Sequence, residues 1–260
     1  MTGSAAPGGS VRIAGKDVSR LGLGTMRLTG PGTWGPPADH DAAARVLCEA
    51  VHVHGITHID TADAYGPHTV EELVARALHP YPEGVLIATK VGMVRPAPNV
   101  WRPLGRPEYL RAAVEASLRR LEADRLDLCY LHRVDPTVPL EDQVGELRDL
   151  QGEGKIGHIG LSKVTVDQIT AAAGIAPIAA VQNCLNLEEP NDPALEHCLT
   201  NGIPYVPYRP LNAGSLTTPD QRDKALAWLL GLGATVAPIP GTSSPHHLRE
   251  LVAAATQMGH

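Results

Sequence analysis

Four polar side chains, Asp60, Tyr65, Lys90 and His132, stand at or just past the ends of separate apolar runs, and together they suit acid-base chemistry on a carbonyl. ITHID (56–60) runs into TADAY, VLIAT (85–89) ends in Lys90, and LDLCYL (126–131) ends in His132. Reducing a carbonyl needs hydride at carbon and a proton at oxygen, and the phenol of Tyr65 is the candidate donor. A free phenol titrates near 10, too weak an acid to be ideal at neutral pH. An ammonium about 4 Å from its oxygen stabilises phenolate by about 4 kcal/mol at an effective dielectric near 20, roughly three pK units as an upper figure. Lys90 is therefore expected to make Tyr65 a better acid. Asp60 would keep that amine charged and in place, because an unpaired ammonium in a closed mouth tends to lose its proton. His132 would hydrogen-bond the substrate oxygen, polarising it or sharing proton delivery.

These groups meet only if the fold brings strand ends to one rim. Apolar runs of strand length alternate with segments of helical period, and no composition break divides the chain, which predicts one continuous βα series. The candidate strands are LGLGT (21–25), ITHID, VLIAT, LDLCYL, HIGLS (158–162), IAAVQ (178–182), IPYVPY (203–208) and TVAPI (235–239). Eight strands in about 250 residues make a (β/α)8 TIM barrel of the α/β class, whose loops after the strand C-termini line one mouth. Ahead of them, VRIAGKDVS predicts a β-hairpin turning at Gly15-Lys16 that closes the barrel bottom. Thr69 with Glu72 and Thr165 with Gln168 fit capping boxes, and Pro107, Pro193 and Pro245 suit first helical positions. Leu110, Val114, Leu118 and Leu121 recur at helical spacing, and Gly152 and Gly154 mark the end of the fourth helix. The stretch 94–107, VRPAPNVWRPLGRP, is too rich in proline for either element and predicts a long mouth-side loop.

A net charge of -6 without any basic stripe argues against a nucleic-acid partner, and no apolar run is long enough to span a membrane. Residues 1–10 carry neither a basic nor an apolar targeting region and are expected to be disordered, leaving 11–260 as a single barrel domain. Cys48, Cys129, Cys184 and Cys198 have no metal or redox spacing, which suits reduced thiols in a cytoplasmic protein. His52, His54 and His58 have the look of a metal set, the basis of a metal-dependent hydrolase reading. His52 and His54 end the first helix, however, and so belong at the barrel bottom, opposite the chemistry; no metal is expected.

HIDTADAYG, the ATK ending at Lys90, and YLHRVDPTVPLEDQVGELRDLQGEGKIGHIGLS resemble the aldo-keto reductase family, and VQN (181–183), PYRPL (207–211), ALAWLL (225–230) and IPGTSSPHHL (239–248) extend the resemblance to roughly residues 11–255. It implies a (β/α)8 barrel that reduces aldehydes and ketones, or runs the reverse, with a nicotinamide cofactor, usually NADPH. Asp60, Tyr65, Lys90 and His132 then fall on the family's catalytic positions. Ser162 and Gln182 match positions that bond the nicotinamide carboxamide, and Tyr208 matches the aromatic on which the ring stacks. Gly24, Thr25 and Met26 resemble residues lining the nicotinamide and substrate pocket; Pro210, Leu211 and Ile239 belong to the same cradle. Gly241, Thr242, Ser243 and Ser244 precede the helix opened by Pro245, where free amides face a phosphate. Trp34 and Trp101 are candidates for a substrate wall, with Tyr65 and His132.

The chain departs from the family pattern in three places. Lys163 stands where Asn or Glu is usual beside the carboxamide. Gly241 and His247 replace the Lys and Arg that often hold the adenosine 2'-phosphate, so NADH is possible as well as NADPH, with Arg249 a candidate substitute. LNAGSLTTPDQRDK, between Leu211 and Ala225, is shorter than the usual pyrophosphate clasp. These departures motivate an alternative, a cofactor-binding regulatory or accessory barrel with little turnover.

Overall fold

The computed structural model describes residues 6–212, 215, 216 and 218–256. Six parallel strands form its central sheet: β3 (Leu23–Gly24), β4 (His58–Asp60), β5 (Leu86–Val91), β8 (Leu126–Leu131), β9 (Ile156–Ser162) and β10 (Ile178–Gln182), in the order β10-β9-β8-β5-β4-β3. The sheet is curled, with apolar clusters on both faces. Alternation along each strand divides them: Ile87, Val91, Cys129 and Leu131 pack outward with the helices, while Leu86, Ala88, Leu128 and Tyr130 pack inward.

Two of the eight expected strands are not continuous strands. Among the described residues the segments 203–208 and 235–240 form isolated parallel bridges and no ladder: Val181 to Tyr205, Cys184 to Tyr208 and Tyr205 to Val236. Pro204, Pro207, Pro238 and Pro240 explain this, since none can donate to a ladder. Backbone bonds nonetheless link these segments to their neighbours. Val206 N donates to Val181 O (2.8 Å), Ala237 N to Tyr205 O (2.9 Å), and Gly22 and Gly24 N to Pro238 and Pro240 O (both 3.0 Å). Val206, Ala237 and Ile239 belong to the inner cluster.

The N-terminal hairpin is present as β1 (Ser10–Ile13) and β2 (Lys16–Ser19). Its turn is Ala14-Gly15 rather than Gly15-Lys16; both have positive φ (49° and 76°), as a two-residue type I′ turn requires. Val11, Ile13 and Val18 pack into the inner cluster, and Lys16 Nζ reaches Val85 O and Asp127 Oδ2, both at 2.7 Å, at the N-terminal ends of the strands. Of the first ten residues, 1–5 lie outside the described residues. Gly9 N bonds Ala6 O (2.9 Å), Leu21 N bonds Pro7 O (3.1 Å), and Ser10 opens β1.

The helices are α1 (His40–Cys48), α2 (Thr69–Leu78), α3 (Pro107–Arg120), α4 (Leu140–Gly152), α5 (Val166–Ala173), α6 (Pro193–Thr200), α7 (Pro219–Gly231) and α8 (Pro245–Thr256), with a π-helical turn, Glu49–Val53, after α1. The Thr165 capping box forms. The Thr69 box does not: Thr69 is already helical, His68 is the N-cap without a side-chain bond, and Thr69 Oγ1 turns to Gly35 O (3.4 Å). Among the described residues no helix is long and apolar enough to cross a membrane.

The stretch expected as a loop is an antiparallel hairpin, β6 (Met93–Ala97) and β7 (Val100–Pro103). Two strands with no further neighbours tolerate proline because half of their N–H groups face no ladder. Asn99, with φ 59°, turns the chain after Pro98.

Candidate active site

The parallel register brings the chemical groups to one rim. Gly24 pairs with Asp60, Lys90 with Tyr130, and Gln182 with Ser162, while His132 N continues β8 by donating to Val91 O (2.8 Å). Gly24 is required there: a Cβ would stand 2.8 Å from Ile239 O, which is backbone and cannot yield.

Lys90, fully buried, is the centre. Its Nζ donates to Asp60 Oδ1 (2.5 Å), Thr61 O (2.8 Å) and Tyr65 Oη (3.2 Å), three acceptors for three N–H groups. Asp60 Oδ2 accepts from Gln182 Nε2 (2.7 Å), so both carboxylate oxygens are held. Tyr65 touches His132 and Trp101 edge to face, with centroids 6.0 and 6.4 Å away, and Trp101 lies 6.3 Å from His132. The Nδ1 of His132 is buried and has no partner.

Burial opposes the charge on Lys90, but Asp60 and then Tyr65 hold it above its ordinary value. Burial pushes the Tyr65 phenol up from its ordinary value of 10, and Lys90 resists without reversing the shift. The expectation of a net more acidic phenol is therefore corrected: desolvation exceeds the pull of the ammonium, and Tyr65 is a protonated phenol at neutral pH. Burial, then the cations Lys90, Arg133 and Arg95, hold His132 well below 6.5, leaving a neutral imidazole.

Tyr65, Trp101 and His132 open onto a cleft of about 1070 Å³. Gly24, Met26, Asp60, Ser162, Lys163 and Gln182 line it, as do Tyr208, Pro210, Leu211 and Ile239 on one side and Gly241, Thr242, Ser243 and His247 beyond. Several residues expected here do not line it, among them Ser244, whose amide donates to Thr242 Oγ1 (3.0 Å). Thr25 is buried with its hydroxyl on Asp60 O (3.0 Å), Lys90 lies beneath the floor, and the Trp34 ring stands 5.8 Å from the Arg95 guanidinium. Arg249 turns to Glu49 (3.5 Å) and is not a lining residue.

Sequence reasoning missed the cleft's cations. Arg27, Arg133, Arg209 and Arg222 join Lys163 along its walls, against a single carboxylate, Asp60, already paired. Scattered arginines leave no local pattern, although Arg133 is adjacent to His132 and could have been placed from it. Lys163 and Arg209 both take positive φ (54°), a conformation that costs energy in a side-chain-bearing residue and gathers at functional sites. His52, His54 and His58 are not gathered: among the described residues the groups close enough to share an ion are His246, His247 and Glu250, of which Glu250 is paired with Arg222 (2.7 Å).

A buried lysine-carboxylate pair lies beneath a phenol and a neutral imidazole at the C-terminal rim of the curled parallel sheet. A family model described as the aldo/keto reductase family matches residues 20–226, and the chain belongs to that family. It is 42% identical over 260 residues to pyridoxine 4-dehydrogenase of Escherichia coli, covering 92% of this chain and 90% of that one. An uncharacterised oxidoreductase of Schizosaccharomyces pombe is 43% identical over 265 residues, covering 96% and 86%. Among solved structures, a glycerol dehydrogenase from Gluconobacter oxydans superposes with TM-score 0.84 at 26% identity, covering 96% of this chain and 90% of that one. An aldo/keto reductase from Klebsiella pneumoniae in complex with NADP and acetate does so with TM-score 0.75 at 26% identity, covering 95% and 89%.

Proposed function

We propose that the protein reduces an aldehyde or ketone to an alcohol, or runs the reverse, with Tyr65 as the proton donor. The observation that carries this reading is the Lys90 contact to Tyr65 Oη at 3.2 Å, with Asp60 behind the amine and His132 beside the phenol at an open cleft. The substrate oxygen takes the Tyr65 proton, and the phenolate left behind is stabilised by Lys90 without any rearrangement. His132, neutral, donates its one N–H to the same oxygen and so fixes the carbonyl. Asp60 stays ionised and keeps Lys90 charged.

The cleft suits an anionic dinucleotide, because cations outnumber the one paired carboxylate along its walls. A nicotinamide cofactor, when bound, supplies or accepts the hydride at the carbonyl carbon. Ser162 and Gln182 would bond its carboxamide, with Lys163 beside them, and Tyr208 would stack on its ring. In the structure Gln182 already serves Asp60, and Ser162 Oγ accepts from Arg133 (3.3 Å). The amides of Gly241, Thr242 and Ser243, ahead of α8, would face a phosphate; that of Ser244 is taken by Thr242 Oγ1 (3.0 Å). NADPH is the first choice and NADH the second: Arg27 lines the cleft, as does Arg222, which is paired with Glu250 (2.7 Å), although Gly241 and His247 replace stronger anion partners. The same reading takes segments 203–208 and 235–240 as the seventh and eighth staves of one barrel domain spanning 11–260; the bonds linking them to β10 and β3 support it.

The likeness to pyridoxine 4-dehydrogenase makes pyridoxine and its aldehyde the leading substrate pair, and the likeness to a glycerol dehydrogenase makes glycerol the second. The test is titration with NADPH and NADH followed by a carbonyl and alcohol panel containing both. Micromolar binding with turnover supports the reading. Binding with no turnover across the panel would favour the accessory alternative, and no binding of either nucleotide would end both.

A further inference from the structure

Arg95, in β6, makes contacts that the acid-base chemistry does not use. Its Nε donates to Val100 O (3.1 Å), Nη1 to Thr33 O (2.9 Å) and Ala64 O (3.0 Å), and Nη2 to Gly32 O (2.9 Å). Those four carbonyls belong to three different mouth segments: the loop after β3, the turn after β4, and β7. Ala64 is the residue before Tyr65. The face of the guanidinium lies 3.7 Å from the centroid of Trp101, the ring that meets both Tyr65 and His132. Arg95 is buried, and none of the ion pairs among the described residues includes it.

A guanidinium has five N–H donors in a rigid plane and two faces for stacking; an ammonium has three donors on a point and no plane. Only the former can bond four carbonyls and lie flat against an indole at once. Gly32 and Thr33 take positive φ (71° and 54°), the conformation in which both carbonyls are presented to the guanidinium. We propose that Arg95 is a positioning residue, pinning the three mouth segments so that Tyr65 and the Trp101 ring are held against His132 before any ligand arrives. The proposal rests on the reading of Tyr65 and His132 as the reacting pair.

Arg95 has a second, separable property, its charge. The cations facing His132 are Lys90 from β5, Arg95 from β6 and Arg133 beside it, and Tyr65 and Trp101 are its ring neighbours. Each of the three cations disfavours the imidazolium, so losing one moves the acid limb of the rate profile to higher pH. Fork and charge can thus be told apart by Arg95→Lys, which keeps the charge and loses the fork, and Arg95→Met, which loses both.

Both variants are made in a Trp228→Phe background, so that Trp34 and Trp101 alone report by fluorescence. Pinning predicts native far-ultraviolet spectra, NADPH affinity close to the parent, and acrylamide quenching raised by about twofold or more. It also predicts kcat for the best aldehyde lower by about ten- to a hundredfold, the cost of a misplaced reacting group. Arg95→Lys should share that loss while keeping the parent's acid limb; Arg95→Met should show both changes. If Arg95→Met does not fold, Arg95→Lys supplies the quenching and kcat readouts alone. Quenching equal to the parent's, or kcat within about twofold of it in a folded variant, overturns the proposal. If the parent turns over no carbonyl while quenching rises as stated, the pin stands and the reading of Tyr65 as proton donor falls.

Discussion

Neutralising Lys90 separates its chemical part from its structural one. At 3.2 Å from Tyr65 Oη, a unit charge stabilises phenolate by about 5 kcal/mol at an effective dielectric near 20, an upper figure of nearly four decades. Burial already pushes the phenol up, so removing the ammonium leaves desolvation opposed by little else. Lys90→Met should therefore lower turnover about a thousandfold. It also strands Asp60, fully buried and left with Gln182, at a cost of about 3–5 kcal/mol in stability. The double variant Lys90→Met/Asp60→Asn removes both charges and should recover most of that stability without recovering turnover. Urea unfolding reads the first quantity and the loss of reduced-cofactor absorbance with an aldehyde reads the second. A double variant that folds, binds cofactor and turns over within about tenfold of the parent would show that the ammonium does not govern the phenol.

Three further outcomes follow from particular contacts. Burial lowers His58 from 6.5 to about 4, and neither ring nitrogen has a partner. The unfolded chain binds that proton first, so this contribution to stability is complete above pH 6.5 and is lost as pH falls toward 4, about 3 kcal/mol in all. His58→Leu should flatten urea-measured stability over that window by about one proton; an unchanged slope would assign the dependence elsewhere. Gly24→Ala drives a Cβ to within 2.8 Å of Ile239 O, and a loss of about 1–3 kcal/mol with weakened cofactor binding is expected in thermal melts and titrations. Because cations line the cleft, the dissociation constant for NADPH should rise several-fold with added salt, as isothermal titration across a salt series would show.

The parts of the fold that could be read from sequence are those where one local pattern suffices. β8 and β10 coincide with LDLCYL and IAAVQ because uninterrupted apolar runs bounded by polar residues admit little else. Asp60, Lys90 and His132 each close such a run, and parallel register carries them to one rim. Segments 203–208 and 235–240 have the composition of strands but not the donors, and counting N–H groups across their prolines would have shown it. The β6–β7 hairpin was hidden for the opposite reason, since proline is tolerated where no third strand demands a bond. The sign of the Tyr65 shift could not be read, because it depends on how deeply three separate mouth segments bury the ring. Arg95 was invisible for the same reason: all four of its acceptors are backbone carbonyls, which leave no trace in side-chain identity.

The most direct test of the account is Tyr65→Phe, which deletes one oxygen and leaves the ring against Trp101 and His132. NADPH titration of this variant should match the parent, while turnover of every carbonyl the parent reduces should fall to background. Retained turnover with cofactor bound would contradict the assignment of the proton to this phenol.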